Sequence, residues 1–205
     1  MNTFTKRGEI AGPAGPLSVA VDTTTDVPSR GLAVVCHPHP LQGGTMDNKV
    51  VTTIARALTQ RGWRVVRFNY RGVGGSAGAW DEGRGEVDDA LAVIAAHREA
   101  GEALVLGGFS FGGYVAASAA AKLPEAERPQ RMVLVAPSTV KHDAPPVGAE
   151  TLLIHGEADD VVPLSASMDW ARPQALPVVV VPGAGHFFHG QLMLLKSLVL
   201  RNFAE

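Results

Sequence analysis

The chain has 205 residues, of which 46% are hydrophobic and 19% are charged, and its formal net charge is −2 at pH 7. This composition is ordinary for a globular α/β protein and argues against nucleic acid as a partner, which would need a strongly basic face. The length suits one domain and no linker-like stretch divides the chain, so we predict a single domain over residues 1–205.

The first elements are predicted to be two paired strands followed by a buried one. Phe4–Ala11 and Leu17–Asp22 flank the turn residues GPAGP, which predicts an antiparallel hairpin. Leu32–Cys36 is a continuous apolar run, as expected for a strand buried on both faces of a parallel sheet.

Helices and strands then alternate to the end of the chain. Apolar residues at helical spacing predict a helix over Asp47–Arg61, with Thr45 or Asp47 as its N-cap. Further strands are predicted at Trp63–Phe68, Ala103–Leu106, Met132–Val135, Thr151–Ile154 and Pro177–Val181. Further helices are predicted at Glu86–Arg98, Ser110–Lys122, Pro163–Ala171 and Gly190–Phe203. This alternation predicts an α/β fold with a mostly parallel, twisted sheet of about eight strands and helices on both faces.

Two segments match G-x-S-x-G, the pattern that can hold a nucleophilic serine on a sharp turn. In GFSFG, Ser110 follows an apolar strand and precedes a helix of small residues. That context lifts the serine above the sheet and points a helix N-terminus at developing negative charge. In GGSAG, Ser76 lies in a glycine-rich stretch with no helix behind it. We therefore predict Ser110 as the nucleophile and a glycine loop around Ser76.

A serine hydroxyl is a poor nucleophile unless a base and an orienting acid accompany it. HGEADDVVP follows the strand TLLI and offers Glu157, Asp159 and Asp160, and PGAGHFFHG follows the strand PVVV and offers His186 and His189. The chain order is serine, acid, histidine, and both groups follow strands, where open α/β sheets place their sites. These residues alone leave the choice of acid and histidine open.

These motifs resemble those of the α/β-hydrolase superfamily. GFSFGG is similar to its nucleophile elbow, HGEADDVVP to its acid loop, GAGHFF to its histidine loop, and NYRGVGGS to the turn after its fourth strand. HPHPLQGGTMDNKVV further resembles a group of small lidless bacterial members. The resemblance implies the α/β-hydrolase fold and a triad of Ser110, Asp159 and His186. It leaves Asp160 a loop residue and His189 a surface residue.

The HPHP loop follows the strand after which α/β-hydrolases supply an oxyanion-hole amide. The resemblance implies that this donor is the backbone N–H of His39, with Leu41 as second choice, and that Phe111 supplies the other amide. The prolines of the loop have no N–H to donate. A metal site on His37 and His39 is the alternative, but the carboxylate or cysteine companions that it requires are not evident, so we predict no metal.

The function that follows is a carboxylesterase-like serine hydrolase that cleaves a small ester through an acyl-enzyme and needs no cofactor. Leu41, Trp80 and Phe187 are predicted to contact the substrate. Thioesterase, lactonase or peptidase activity would use the same residues. The alternatives from other classes are a non-catalytic α/β-hydrolase-like binding protein and a metal-dependent hydrolase.

Three further expectations concern the surroundings of the site. PSTVKHDAPPVGAE, between two predicted strands, has no apolar periodicity, so we predict no cap domain and an open cleft. Arg71 is expected either to meet an acidic substrate group or to form a structural ion pair, and Cys36 to be a small buried hydrophobe. With one cysteine and no signal-like or membrane-spanning apolar run, we expect a cytoplasmic monomer or weak homo-oligomer with no membrane partner.

Overall fold

Eight strands form one sheet in the computed structural model, which describes residues 3–204. The strands are β1 (Thr3–Gly12), β2 (Gly15–Thr24), β3 (Gly31–Cys36), β4 (Trp63–Phe68), β5 (Leu104–Phe109), β6 (Arg131–Val135), β7 (Thr151–Gly156) and β8 (Val178–Val181). Their order across the sheet is β1-β2-β4-β3-β5-β6-β7-β8. The β1–β2 and β2–β4 pairs are antiparallel and the other pairs are parallel, which confirms the predicted hairpin and sheet.

Helices cover both faces of this sheet. They are α1 (Lys49–Gln60), α2 (Arg84–His97), α3 (Phe111–Lys122), α4 (Leu164–Ala171) and α5 (Leu192–Asn202). One apolar cluster joins α2 and α3 to the sheet, and a second joins α1 and α5 to the opposite face. Adjacent residues of β3 divide between them, since Val34 belongs to the first cluster and Val35 to the second. Covering on both sides explains why β3, β5 and β7 are buried at every position.

The start of α1 differs from the prediction. Asn48 is the N-cap, and its side-chain oxygen accepts hydrogen bonds from the amides of Val50 at 2.9 Å and Val51 at 3.4 Å. Asp47 instead forms ion pairs with Arg7 and Arg67. Asparagine, aspartate and threonine are all good caps, so the prediction of Asp47 or Thr45 was wrong because loop geometry decides among them.

Strand β5 runs three residues further than predicted, through Gly107 and Gly108 to Phe109. Glycine weakens an isolated strand, but here β3 and β6 pair with β5 on both sides. This extension carries the end of β5 to the edge of the sheet and delivers the chain directly to Ser110.

The connection between β6 and β7 contains no helix, so no cap covers the carboxyl ends of the strands there. This agrees with the predicted lidless architecture. Loops after β3, β5, β7 and β8 meet at that edge, where open α/β sheets bind their ligands. Over residues 3–204, no helix combines the length and the apolar character needed to cross a membrane.

Candidate active site

Ser110 occupies the sharp turn between β5 and α3, in a strained backbone conformation with φ of 55°. A non-glycine residue at positive φ persists only where the surroundings hold it. Three backbone hydrogen bonds do so: the Ser110 amide donates to Val135 O at 3.0 Å, and its carbonyl accepts from the amides of Gly113 at 2.9 Å and Ser138 at 3.0 Å. The turn is therefore fixed by the strand beside it and the helix after it.

The two glycines of the GFSFG turn are sterically required. A Cβ added to Gly108 would lie 2.1 Å from the carbonyl oxygen of Gly112, and one added to Gly112 would lie 2.2 Å from that of Cys36. Both contacts are with backbone, so no side-chain movement relieves them. The strand, turn and helix that the sequence predicted around Ser110 are all present.

An acid and a histidine meet beside this turn. The Nδ1 atom of His186 lies 2.7 Å from Oδ2 of Asp159, and both side chains are almost fully buried. The other carboxylate oxygen, Oδ1, accepts hydrogen bonds from the amides of Val161 at 2.9 Å and Val162 at 2.8 Å. Asp159 is thus held by its own loop while it orients the imidazole of His186.

A second histidine, His155 at the end of β7, also contacts Asp159. Its Nε2 atom lies 2.9 Å from the carbonyl oxygen of Val162 and 3.3 Å from Oδ2 of Asp159. Because a carbonyl oxygen only accepts, Nε2 carries the proton, and Nδ1 accepts from the hydroxyl of Ser167 at 2.8 Å. The contact of His155 with Asp159 was not predicted from the sequence. The place of His155 four residues before Asp159 was the available signal for this contact.

The environment of Asp159 keeps it ionised. Burial alone would raise the pKa of this carboxyl, but hydrogen bonds from His155, His186 and the Val162 amide outweigh burial and hold the pKa far below its usual range. The carboxylate therefore stays negative at any physiological pH.

Ser110 opens onto two adjoining cavities. The smaller, of about 50 Å³, brings Ser110 together with His186, Phe187 and the loop after β3; its other lining residues are Pro38, His39, Gln42, Gly43, Gly44, Asn48 and Val161. The larger, of about 270 Å³, is lined by His39, Gln42, Ser110, Phe111, Ser138, Thr139, Val140, Lys141, His142, Val161, Val162, Pro163 and Ala166. Within the described residues the Ser110 hydroxyl makes no hydrogen bond, and neither does Nε2 of His186. Such contacts often form only when a substrate is bound.

The two residues whose backbone amides are predicted as oxyanion donors, His39 and Phe111, both line the larger cavity. Phe111 is the first residue of α3, so its N–H has no partner inside the helix, and His39 precedes a short turn of 3₁₀ helix at Pro40–Gln42. The ring of His39 packs between Trp80, at a centroid distance of 4.6 Å, and Phe111, at 5.2 Å. This packing fixes the loop beside Ser110.

The three predicted substrate contacts have different surroundings. Phe187 is 43% exposed and lines the smaller cavity. Leu41 is 69% exposed and Trp80 is partly buried behind His39, and neither lines either cavity. Sequence reasoning missed Lys141, His142 and Ser138, which do line the larger cavity, because nothing in the loop after β6 is periodic.

Ser76 and Arg71 have structural partners. The Ser76 hydroxyl accepts a hydrogen bond from the Ser18 amide at 3.0 Å and donates one to the Asn69 carbonyl oxygen at 2.8 Å. Arg71 forms a 2.8 Å ion pair with the fully buried carboxylate of Asp89. Of the two expectations for Arg71, the structural ion pair is the one present.

Both ring nitrogens of His37 are engaged by backbone. Nε2 accepts from the Tyr70 amide at 3.2 Å, so Nδ1 carries the proton that it donates to the Pro38 carbonyl oxygen at 2.7 Å. No lone pair remains for a metal, and residues 3–204 contain no cluster of three or more histidine, cysteine or acidic side chains that could hold one. Burial lowers the pKa of His37 to about 3, and burial raises that of the neighbouring Cys36 to about 12.

The remaining polar candidates lie at the surface. Asp160 and His189 are exposed, and the Glu157 carboxylate accepts a hydrogen bond from the Gly183 amide at 2.9 Å. None of the three lines a cavity that contains Ser110.

Comparison with known proteins identifies the family. The sequence profile of the family described as serine aminopeptidase, S33, matches residues 29–150. The chain is 32% identical over 194 residues to the protein RP471 of Rickettsia prowazekii, covering 86% of this chain and 79% of that one. It belongs to the α/β serine hydrolases.

Solved structures of α/β serine hydrolases superpose on nearly the whole chain. XC6422 from Xanthomonas campestris, described as an α/β serine hydrolase without lid, is 41% identical with a TM-score of 0.89, over 100% of this chain and 95% of that one. An α/β serine hydrolase homologue from Coxiella burnetii is 39% identical with a TM-score of 0.85, over 96% of each chain. The superfamily and the lidless fold expected from the motifs are therefore confirmed.

Proposed function

We propose that this α/β serine hydrolase is a carboxylesterase-like enzyme that cleaves a small ester through an acyl-enzyme. One observation carries the proposal: Ser110, whose hydroxyl makes no hydrogen bond within residues 3–204, shares a cavity with His186, and Nδ1 of that histidine lies 2.7 Å from Oδ2 of Asp159. A nucleophile, a base and an orienting acid in this relation are what acyl transfer requires.

The reaction proceeds in two steps. Oγ of Ser110 attacks the ester carbonyl carbon while Nε2 of His186 takes the hydroxyl proton. The bond to the leaving alcohol breaks as His186 returns that proton to the alcohol oxygen. Water then attacks the acyl-enzyme, again losing a proton to His186, which passes it to Ser110 as the acid leaves.

Asp159 and two amides support the charges that develop. Asp159 accepts a hydrogen bond from the Nδ1–H of His186, which fixes the tautomer and stabilises the imidazolium. Its lowered pKa keeps it negative throughout. The amides of His39 and Phe111 donate to the oxyanion, a contribution of about 3–4 kcal/mol for one donor in characterised enzymes.

The lining of the cavities favours an ester over the N-terminal peptide bond that an aminopeptidase cleaves. Recognition of a free α-ammonium group calls for a carboxylate, because an ionised acceptor makes the strongest hydrogen bonds to it. Neither cavity at Ser110 has an acidic lining residue, and the larger one is lined by Lys141, which would repel an ammonium group.

A panel of chromogenic substrates tests this proposal. We expect turnover of p-nitrophenyl acetate and butyrate, and at least about tenfold lower kcat/KM for alanine p-nitroanilide, since a like charge in the cavity disfavours its ammonium group. The variant Ser110→Ala supplies the blank. An anilide cleaved faster than both esters would overturn the ester assignment and favour a peptidase.

A further inference from the structure

The larger cavity at Ser110 carries positive charge without a counter-ion. Lys141, from the loop between β6 and β7, lines it together with His39 and His142, and no lining residue is acidic. Asp143, the nearest acid along the chain, is exposed and does not line it. Within residues 3–204, Lys141 forms no ion pair with any carboxylate.

One polar side-chain atom of a residue that lines this cavity has no hydrogen-bond partner. The Nδ1 atom of His39 is buried without a partner, which is uncommon for a polar side-chain atom. His142 lies 6.1 Å from His39 between ring centroids, and its Nδ1 is 3.0 Å from the hydroxyl of Ser138. Gln42 and Thr139 complete the polar part of the lining.

The two histidines lack a compensating negative charge. Burial lowers the pKa of both His39 and His142, and the positive charge of Lys141 lowers both further. A nearby carboxylate would act in the opposite direction. A bound anion would supply the missing negative charge.

The position of His186 decides which part of an ester enters this cavity. The leaving alcohol must lie beside His186, since that residue protonates it. His186 lines the smaller cavity and not the larger one. The acyl half of the substrate, on the other side of the scissile bond, is therefore directed into the larger cavity.

We propose that the acyl group of the substrate carries a carboxylate, so that the enzyme hydrolyses monoesters of short dicarboxylic acids, with Lys141, His39 and His142 around the free carboxylate. This inference rests on the proposed esterase function and names its substrate class. Charge-assisted hydrogen bonds to the carboxylate would provide the selectivity over a methyl group of similar size.

The test compares two ethyl esters that release the same alcohol. Ethyl hydrogen glutarate and ethyl pentanoate differ in a terminal carboxylate against a methyl group, and a coupled ethanol assay follows both. We expect kcat/KM to be at least about tenfold higher for the glutarate monoester, the size of effect that hydrogen bonds to a charged group give. The variant Lys141→Met should lower the ratio of the two values severalfold. Lys6→Met, the same change on exposed β1, should leave both values as in the wild type.

The outcomes separate the two proposals. Hydrolysis of ethyl pentanoate at an equal or higher kcat/KM would overturn the carboxylate preference while the esterase function stands. If neither ethyl ester nor any p-nitrophenyl ester is cleaved, the esterase function fails. Calorimetric binding of glutarate and pentanoate to the Ser110→Ala variant then decides whether the larger cavity prefers a chain that ends in a second carboxylate. Tighter binding of glutarate, lost in the double variant with Lys141→Met, would support this preference, and equal binding would overturn it.

Discussion

The two G-x-S-x-G segments of this chain contain serines that are equally buried and yet differ in chemistry. Ser110 is 8% exposed and Ser76 is 6% exposed. The Ser76 hydroxyl makes two hydrogen bonds to backbone, whereas the Ser110 hydroxyl makes none within the described residues and opens onto two cavities. Burial therefore does not distinguish a structural serine from a candidate nucleophile. The partners of the hydroxyl do.

The difference arises from what precedes and follows each serine. Ser110 leaves β5 and enters α3, so its backbone is held on both sides and its side chain is free. Ser76 lies in a loop that packs against β2, where its hydroxyl replaces a missing backbone partner for Ser18. The same five-residue pattern has a different role at each serine, because only the copy at Ser110 joins a strand to a helix.

The largest effect on activity is expected from substitution of Ser110, with the same substitution of Ser76 as the comparison. Ser110→Ala should lower kcat for p-nitrophenyl butyrate by about 10⁴-fold or more, because it removes the nucleophile. Ser76→Ala is the matched control and should keep kcat within a few fold at a temperature where it is folded. Turnover that survives Ser110→Ala would end the proposed mechanism.

Substitution of the acid or of the histidine should lower kcat by a similar or slightly smaller factor. Asp159→Asn and His186→Ala should each lower kcat by about 10³–10⁴-fold, since the first disturbs the imidazole tautomer and the second removes the base. Circular dichroism would show that both variants are folded. The controls are Asp160→Asn and His189→Ala, whose side chains are exposed, and they should behave as wild type. A large loss of kcat in Asp160→Asn would instead assign the role of the acid to Asp160.

A smaller effect is expected at His155, which we propose to be a positioning residue for Asp159. His155→Gln should lower kcat by about tenfold with KM nearly unchanged, because it weakens one hydrogen bond to the carboxylate without touching substrate. A purely structural role would lower the melting temperature and leave kcat of the folded enzyme as it was. Comparison of kcat and the melting temperature separates the two.

A hydrogen bond joins the loop that contains Ser76 to the HPHP loop beside Ser110, and it predicts that the stability of the protein depends on pH. His37, in the active-site loop, accepts a hydrogen bond from Tyr70 in the loop of Ser76, and burial lowers its pKa from 6.5 to about 3. Below pH 6.5 the unfolded chain binds a proton at His37 that the folded chain excludes, so stability is lost as pH falls from 6.5 towards 3. The loss approaches about 1.4 kcal/mol per pH unit.

Urea unfolding of the wild type and His37→Gln at pH 7, 6 and 5 measures this dependence. We expect the free energy of unfolding of the wild type to fall more steeply than that of the variant. Parallel profiles would show that His37 does not resist protonation in the folded state.

Local pattern was enough to predict the alternation of strands and helices and the strand–turn–helix context of Ser110. The resemblance to a known family pointed to Asp159 and His186, which the structure places 2.7 Å apart. Two kinds of feature could not be predicted from the sequence. The choice of Asn48 over Asp47 as helix cap depends on loop geometry, because both residue types cap well. The gathering of Lys141, His39 and His142 depends on two loops that approach each other only through the sheet.

The most direct measurement is covalent labelling by a fluorophosphonate probe followed by mapping of the modified peptide by mass spectrometry. Such probes react with serines that a base activates, so the Ser76 hydroxyl, which is hydrogen-bonded only to backbone groups, should not react. We predict one modified residue, Ser110, with labelling abolished in Ser110→Ala and strongly reduced in His186→Ala. Modification of Ser76, or labelling of Ser110 that is indifferent to His186→Ala, would contradict the central claim.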